Sequence, residues 1–331
     1  MVMLKANAYG HGIRSTAIRL DGLVEYMGVA RIDEAIALRK VGIKGKICIM
    51  QGVFSKDDVL TASCNNFELL VHDYSQIDCF DVQVPAKVNI WLKVDTGIGR
   101  LGFKMTEVQS VFDRLKSYES VGTITLTSHF ACADEKEHSL NQQQIKRFEL
   151  LAKDFPGPKS LANSAAIFNF PETHYDIIRP GLSVYGISPL SDRIGDDLDL
   201  KPVMTLLAKV MSVRKLPAGA TIGYGARFRT DKEITIATIG VGYGDGYPRS
   251  IRDGAPVLIN GSICHLVGRI SMDMMTVDVS QCKKVTCGDI ITLWGEKLPL
   301  EKVVKFTANS CYDILTSVQL RVKFNWLNFG C

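Results

Sequence analysis

The sequence lacks the features that would place it among membrane proteins or proteins that bind polyanions. No apolar run approaches the roughly 18 residues of a membrane span, and no signal-like start is visible. No block of like charge occurs, because the 39 basic and 35 acidic residues, with a net charge of +4, are interspersed. Repeats and low-complexity stretches are also missing. We therefore expect a cytoplasmic protein that binds neither nucleic acid nor membrane.

The chain also lacks any recognisable cysteine pattern, although it contains nine cysteines. They form no CxxC pair and follow no regular spacing, which argues against a disulfide framework and against a zinc site. We expect these residues to be reduced thiols, and we expect the protein to hold no metal.

Length and composition predict two domains, since 331 residues with 46% hydrophobic content can bury one large core and one smaller core. Up to about residue 190, β-rich runs alternate with helical patterns, in which apolar residues recur three or four positions apart. The candidate strands are 2–4, 26–30, 46–50, 67–71, 88–94, 122–127, 159–162 and 176–179. Eight βα repeats predict an α/β fold, a (β/α)8 barrel of the TIM type at residues 1–190.

The pattern changes after about residue 190. The helical repeat stops, and β-branched runs separated by Gly and Pro turns follow at 204–213, 234–241, 256–259 and 290–294. One late helical pattern lies near 300–315. These runs predict a second, mainly antiparallel β domain at residues 191–331.

Lys5 stands where a short apolar stretch gives way to small, turn-forming residues, in the run MLKANAYGHG at 3–12. An amine at the carboxyl end of a buried strand is partly desolvated, which disfavours its charged form and frees a nucleophile for Schiff-base chemistry. Pyridoxal phosphate is the commonest cofactor held in this way. A lysine near a chain start is otherwise most often a solvated charge, so the segments downstream decide between the two interpretations.

Polar residues at other predicted strand ends favour a catalytic site. Chemistry in barrels lies at the carboxyl ends of the strands, where this sequence places Lys5, Asp95, His129, Asn163 and Arg179. The helix that begins after Asn163 offers its amino end to a phosphate. Each segment also has a plainer interpretation, because ion pairs, helix caps and glycine turns are common without any function.

Taken together, the segments resemble the alanine racemase family, two-domain enzymes with a barrel followed by a β domain. The resemblance covers essentially the whole chain and depends on the number and order of the matching motifs. They are KANAYGHG at 5–12, KVDTGIGRLGF at 93–103, SHFACAD at 128–134, NSAA at 163–166, RPGLSVYG at 179–186, GYGDGYPR at 242–249, GRISMDMMTVDV at 268–279 and SCYDILT at 310–316.

The resemblance implies a homodimer that interconverts L- and D-alanine with pyridoxal phosphate, for peptidoglycan synthesis or alanine catabolism. Lys5 would link to the cofactor, and Tyr243 would be a second base, lent by the partner subunit. Two bases are needed because inversion removes a proton from one face of the carbon and delivers one to the other. His129 and Arg179 would support Tyr243, whose phenol has an ordinary pKa near 10.

The family pattern also assigns binding roles. Arg179 would face the pyridine nitrogen without protonating it, because a guanidinium keeps its proton. Arg100 would contact the cofactor and the substrate carboxylate, and Lys93 matches a lysine that is carbamylated in some members. Whether Lys93 is modified stays open. Cofactor-binding positions are Tyr9, Asn163, Ser164, Gly181, Leu182 and Tyr312. Met272 and Asp273, lent by the partner subunit, would line the substrate entrance and touch the substrate carboxylate, although packing among neighbouring methionines explains Met272 equally well.

The chain departs from the family pattern at its start. Family members carry a further strand and helix before the catalytic lysine, and this sequence begins almost at Lys5. If that part is absent, we expect low solubility and weak activity because apolar surface is left uncovered. Alternatives to an alanine racemase are a racemase of broader specificity, a related amino-acid decarboxylase, and a truncated or non-catalytic protein that binds pyridoxal phosphate.

Overall fold

The computed structural model describes residues 1–282 and 284–327. The chain divides into two compact units. Unit 1 contains residues 1–184 and 189–192, and unit 2 contains residues 185–188 and the described residues from 193 onward. Among the described residues, no helix has both the length and the apolar composition that a membrane crossing requires.

Unit 1 is built on a sheet of seven parallel strands, which follow one another in chain order. Most of the strand residues are buried, as expected for a parallel sheet whose faces are both covered. The strands are β1 (Val2–Met3), β2 (Tyr26–Val29), β3 (Lys46–Ile49), β4 (Phe67–Val71), β5 (Val88–Lys93), β6 (Val121–Thr127) and β7 (Lys159–Ser160).

Helical segments connect these strands, and several begin at a side-chain cap. The Ser55 side chain accepts a hydrogen bond from the Asp58 amide at the start of the helix Lys56–Asn65, and Asn163 caps the helix Ser164–Asn169 through the Ala166 amide. The segments are α1 (Lys5–Tyr9), α2 (Ile13–Leu20), α3 (Ile32–Lys40), α4 (Lys56–Asn65), α5 (Tyr74–Ile77), α6 (Val108–Lys116), α7 (Ser139–Ala152) and α8 (Ser164–Asn169).

The predicted eighth strand at 176–179 is wrong as a strand. Only an isolated bridge forms there, between Asn163 and Arg179. The segment still joins both edges of the sheet, because Ile178 and Pro180 carbonyls accept from the Met1 and Met3 nitrogens. On its other side, its backbone nitrogens donate to carbonyls of residues 159 and 162. An irregular extended segment thus takes the eighth position, since Pro180 cannot donate to a ladder.

Unit 2 contains a closed barrel of six antiparallel strands and a separate two-stranded sheet. The interior is apolar; Val257, Leu266, Val277, Ile291 and Leu293 are fully buried. The strands are β8 (Leu206–Leu216), β9 (Thr221–Ile222), β10 (Phe228–Arg229), β11 (Ile234–Ile239), β12 (Pro256–Ile259), β13 (Ser262–Leu266), β14 (Met275–Asp278) and β15 (Ile290–Trp294). The order in the barrel is β11-β14-β13-β12-β15-β8, and β9 pairs with β10. The predicted fold class is confirmed.

The late helical pattern near 300–315 forms two helices, α9 (Leu300–Val304) and α10 (Cys311–Ser317). The break between them is consistent with the Ser310 cap, whose side chain accepts from the Asp313 amide and starts a new helix. The buried apolar residues of these helices are Leu300 and Val303 on α9 and Ile314 and Leu315 on α10.

The expectation that all cysteines are reduced thiols is wrong for two of them. Cys264 on β13 is joined in a disulfide to Cys282, which follows β14. The antiparallel pairing of β13 with β14 brings these positions together, and their linear separation of 18 residues does not reveal it. Cys331 lies outside the described residues.

Candidate active site

Polar side chains follow the carboxyl ends of the strands in unit 1. Lys5 comes two residues after β1, Lys93 ends β5, and His129 comes two residues after β6. Asn163 caps α8 beyond β7, and Arg179 bridges to Asn163 in the parallel sense. Because the strands are parallel, these residues all lie at the carboxyl ends of the strands, on one side of the sheet, where barrel folds carry their catalytic residues.

The chain that leaves Lys5 is wound in the left-handed sense. Ala6, Asn7, Ala8 and Tyr9 have φ of 53°, 55°, 54° and 52°, so four consecutive residues other than glycine adopt a conformation that side chains disfavour. The Ala8 amide donates to the Leu4 carbonyl at 2.8 Å. The backbone around Lys5 is therefore held in one specific and strained path.

Glu34 fastens this turn. One carboxylate oxygen accepts from the Ala6 amide at 2.9 Å, and the other accepts from the Ala30 amide at 2.8 Å and the Arg31 amide at 3.2 Å. No motif in the sequence marks Glu34, although its place in the first turn of α3 fits a capping residue. The same carboxylate raises the pKa of the Lys5 amine, against stronger influences that lower it.

The pKa of the Lys5 amine is lowered overall, first by desolvation and then by the charge of Arg100. Arg179 acts in the same direction. Much of the Lys5 surface is nevertheless open to solvent. An accessible amine with a lowered pKa is a good nucleophile, because a larger fraction of it is uncharged near neutral pH.

Lys93 is buried and lies close to the same two cations that influence Lys5, namely Arg100 and Arg179. Desolvation lowers the pKa of its amine to about 7, and the charges of Arg179 and Arg100 add to this effect. Its Nζ donates to the Val94 carbonyl at 3.1 Å. The glycine turn beyond it is held by Asp95, whose carboxylate accepts from the amides of residues 97–99. That turn leads to Arg100, which is exposed.

Arg179 is buried and donates to neutral groups. Its guanidinium reaches the Thr127 and Ser160 hydroxyls and the Ser128 and Leu161 carbonyls, and lies 3.4 Å from the His129 Nδ1. Desolvation lowers the pKa of the guanidinium to about 10, so it stays charged at neutral pH. A buried cation fixed by neutral hydrogen-bond partners is suited to hold an anion or an acceptor.

Two histidines stay uncharged in the folded unit. Desolvation lowers the pKa of His129 well below its ordinary value, and Arg179 adds to the shift. Desolvation also lowers the pKa of His11 to about 4. The His11 Nδ1 lies 2.9 Å from the Tyr9 carbonyl, so this nitrogen carries the proton in the neutral ring.

We expect acid to destabilise the protein through these two rings. As pH falls from about 6.5, these two histidines become protonated in the unfolded chain but stay neutral in the folded protein, so the free energy of unfolding falls. His11 accounts for on the order of 3 kcal/mol of this loss by about pH 4. Thermal unfolding across this pH range should show a smaller loss for His11→Gln. The exposed His265 gives the control, and an equal reduction in His265→Gln would contradict the assignment.

The α8 start brings three predicted phosphate-binding residues together. The Ser164 hydroxyl accepts from the Gly181 amide at 2.7 Å, and Ser183 donates to the same hydroxyl at 3.3 Å. A Cβ added at Gly181 would lie 2.4 Å from the Tyr9 hydroxyl oxygen, so Gly181 is needed for this close approach. The Asn163 side chain serves as the helix cap. Leu182, beside Gly181, is buried.

In unit 2, the structure brings together Tyr243, Met272 and Asp273. Tyr243 lies in a short turn whose amides donate to the loop before β14, from Tyr243 to the Ser271 carbonyl at 3.1 Å and from Gly244 to the Met272 carbonyl at 2.8 Å. The Arg249 guanidinium lies 5.5 Å from the centre of the Tyr243 ring, a contact that the sequence analysis missed. All three predicted residues are exposed.

Tyr312 lies in the first turn of α10 in unit 2, and its ring is exposed. Asp245 and Arg321 are two further residues that the sequence analysis did not assign. Asp245 could have been noticed inside the motif at 242–249, whereas Arg321 lies beyond every motif that was recognised.

The architecture and the site residues define a class of two-domain enzymes with a barrel and a β domain, and comparisons with known proteins agree. The family model "Alanine racemase, N-terminal domain" matches residues 1–189, and "Alanine racemase, C-terminal domain" matches residues 203–326. The chain belongs to the alanine racemase family, which confirms the resemblance seen in its sequence. Members of this family are isomerases.

Curated relatives and solved structures agree with the family models. The chain is 40% identical to an alanine racemase of Haemophilus influenzae over 324 residues, 97% of this chain and 90% of the relative. It is 40% identical to that of Legionella pneumophila strain Lens over 98% of this chain and 91% of the relative. The crystal structure of biosynthetic alanine racemase from Pseudomonas aeruginosa matches with a TM-score of 0.93 at 38% identity, over 97% of this chain and 90% of that one.

Proposed function

We propose that this protein is a cytoplasmic alanine racemase, a homodimer that interconverts L- and D-alanine with pyridoxal phosphate. The product D-alanine would serve peptidoglycan synthesis, and the reverse reaction would serve alanine catabolism. The observation that carries the proposal is the Lys5 amine, whose pKa is lowered by desolvation and by neighbouring arginines while the amine stays accessible. Membership of the family supports the choice of substrate.

The residues present fit a phosphorylated aldehyde cofactor. Four cations lie close enough to lower the pKa values of Lys5, Lys93 and His129 by repulsion; they are Lys5, Lys93, Arg100 and Arg179. Because this repulsion is relieved by a negative charge, the site favours an anion. Lys5 would hold the aldehyde carbon, Arg179 the ring nitrogen, and Tyr9, Ser164, Gly181, Leu182 and Tyr312 the phosphate. Asn163 would support them as the cap of α8. When bound, the cofactor supplies an electron sink that makes the α-hydrogen of the amino acid acidic.

Racemisation requires two groups that exchange protons with opposite faces of one carbon. Lys5 would take and return the proton on one face, and Tyr243, lent by the partner subunit, would do so on the other. Neutral His129 accepts from Arg179 through Nδ1, so its other ring nitrogen carries the N–H and would donate toward Tyr243 of the partner subunit. Arg100 would bind the substrate carboxylate, and Met272 and Asp273, lent by the partner subunit, would also contact the substrate.

The decisive experiment incubates the purified chain with pyridoxal phosphate and L-alanine in deuterium oxide. A racemase places deuterium at the α-carbon of both enantiomers and produces D-alanine. Carbon dioxide release would instead indicate a decarboxylase, and cofactor binding without turnover would indicate a carrier. Tyr243→Phe should abolish inversion, and racemisation at the original rate in that variant would overturn the two-base proposal. Incubation with other L-amino acids distinguishes a racemase of broad specificity.

Lys93 is expected to react with carbon dioxide. With a pKa of about 7 its amine is substantially uncharged at neutral pH, and carbamylation would replace one of several repelling cations with an anion. Carbon NMR of protein equilibrated with ¹³C-bicarbonate should show a carbamate signal that Lys93→Ala loses. Retention of that signal in Lys93→Ala would assign it to another amine.

Gly181→Ala is expected to weaken cofactor binding by about tenfold or more, because the new methyl group displaces the Tyr9 hydroxyl. Titration of the cofactor-free protein with pyridoxal phosphate, followed by fluorescence, measures the effect. In a Tyr9→Phe background the hydroxyl is gone and only the ring carbon Cζ, 3.1 Å from the added Cβ, must move slightly, so adding Gly181→Ala should weaken binding much less than in the original protein. Equal effects in both backgrounds would show that Tyr9 is not the reason.

A further inference from the structure

We propose that Arg321 is a positioning residue for the Tyr243 turn, defined as residues 242–246. The proposal rests on the proposed function, since it assigns Arg321 the task of fixing where the second base stands. The Arg321 Nε donates to the Asp245 carboxylate at 2.8 Å, and its terminal nitrogen donates to the Asp273 carboxylate, also at 2.8 Å. One guanidinium thus joins the Tyr243 turn to the Asp273 segment.

The contacts to Asp245 reach into the turn itself. The second Asp245 oxygen accepts from the Gly242 amide at 2.9 Å, so the same carboxylate holds both the turn and Arg321. Asp245 is largely buried, with 19% of its side chain exposed, whereas Arg321 is 47% exposed. An isolated surface ion pair contributes little, but a planar fork held by two carboxylates fixes direction as well as distance.

Gly244 shows how closely Arg321 fits. A Cβ at Gly244 would lie 2.9 Å from an Arg321 nitrogen and 3.0 Å from the Met272 carbonyl oxygen. The Arg321 guanidinium therefore lies directly against the backbone that follows Tyr243, and a side chain at residue 244 would displace it. The ring of Tyr243 is meanwhile in contact with Arg249, so the turn is held from the backbone side and the ring side by different arginines.

The main chain before Arg321 is anchored independently. The Gln319 amide donates to the Asp245 carbonyl at 3.1 Å, and the Ser317 hydroxyl donates to the Gly246 carbonyl at 2.8 Å. Removal of the Arg321 side chain therefore leaves the chain in place and releases only the link between Asp245 and Asp273. We expect Arg321→Gln to fold, with a melting temperature close to that of the original protein.

The test compares Arg321→Gln, Arg321→Lys and the control Arg214→Gln, an exposed arginine on β8. Arg321→Gln should lower kcat by about 10- to 100-fold, because a small displacement of a base from its reactive position slows proton transfer strongly, and should change KM by a smaller factor. Arg321→Lys can reach only one carboxylate at a time and should recover part of kcat. Arg214→Gln should leave kcat unchanged.

Isotope exchange without inversion separates positioning from a general loss of structure. Tyr243→Phe first identifies the enantiomer whose α-proton depends on Tyr243, since Lys5 alone still exchanges the proton of the other. Arg321→Gln should slow exchange from that enantiomer and preserve exchange from its mirror image. An equal decrease for both enantiomers, or no decrease for either, overturns the proposal.

Amide hydrogen exchange gives a readout that does not depend on turnover. Arg321→Gln should accelerate exchange at the amides of Gly242, Tyr243 and Gly244 at least about tenfold, with little change in β8. Unchanged exchange there overturns the positioning role whether or not Tyr243 is a base. Racemisation that survives Tyr243→Phe, with accelerated exchange in Arg321→Gln, instead overturns the proposed role of Tyr243 and leaves the link itself established.

Discussion

Lys5→Ala is expected to lower the rate of alanine racemisation by at least about 10³-fold, because the variant loses both the covalent attachment point and one of the two proton carriers. The assay measures D-alanine formed from L-alanine by the protein loaded with pyridoxal phosphate. The characteristic absorbance of the lysine-bound cofactor should disappear together with the activity.

This loss should occur without loss of folding. Lys5 stands among like charges from Arg100 and Arg179, so its removal relieves repulsion, and the melting temperature of the cofactor-free variant should equal or exceed the original. Lys40→Ala, at an exposed position of α3, is the matched control and should retain full activity. Activity above about one tenth of the original in Lys5→Ala would remove Lys5 from the chemistry.

Arg179→Lys is expected to be the most damaging conservative change in unit 1. An ammonium cannot satisfy the Thr127, Ser160, Ser128 and Leu161 groups together, and it leaves His129 without its partner. Unsatisfied buried groups should lower the free energy of unfolding by on the order of 3 kcal/mol. Activity per folded molecule should fall at least about tenfold, because His129 and the cofactor ring lose their support.

A second arginine in the same unit separates the two effects of that change. Arg39 donates to the carbonyls of Ile43, Gly45, Asn65 and Asn66, far from the strand ends that carry the site residues. Arg39→Lys should therefore lower stability through the same loss of hydrogen bonds and leave activity per folded molecule unchanged. A comparable fall in activity in Arg39→Lys would show that general destabilisation explains the Arg179 result.

Alternation of apolar strands with helical repeats was enough to predict seven strands of unit 1 near their observed positions. Its failure at 176–179 has a local cause, because apolar content resembles a strand while Pro180 and the irregular path prevent a continuous ladder. In unit 2, β-branched runs indicated the strands, but neither the barrel order nor the pairing of β13 with β14 is visible in periodicity. The Cys264–Cys282 disulfide was missed for that reason.

At the site, motif residues were accessible to sequence reasoning because their type and position carry chemistry. Glu34 and Arg321 were not, because both act through groups from distant parts of the chain. Glu34 accepts from a backbone amide, and Arg321 donates to two carboxylates. Residue type alone gave no reason to separate them from other surface charges. Only the folded geometry shows that one supports the segment after Lys5 and the other the segment around Tyr243.

The left-handed path after Lys5 sets a limit on how far this protein can be made more robust. Four side chains with positive φ hold roughly 1–2 kcal/mol each of unfavourable energy, which the rest of unit 1 must offset. Substitutions that relax those torsions would raise the melting temperature, but they would also let the Lys5 amine adopt other positions. Within these four residues, higher thermal stability therefore comes at the expense of precise positioning of the catalytic amine.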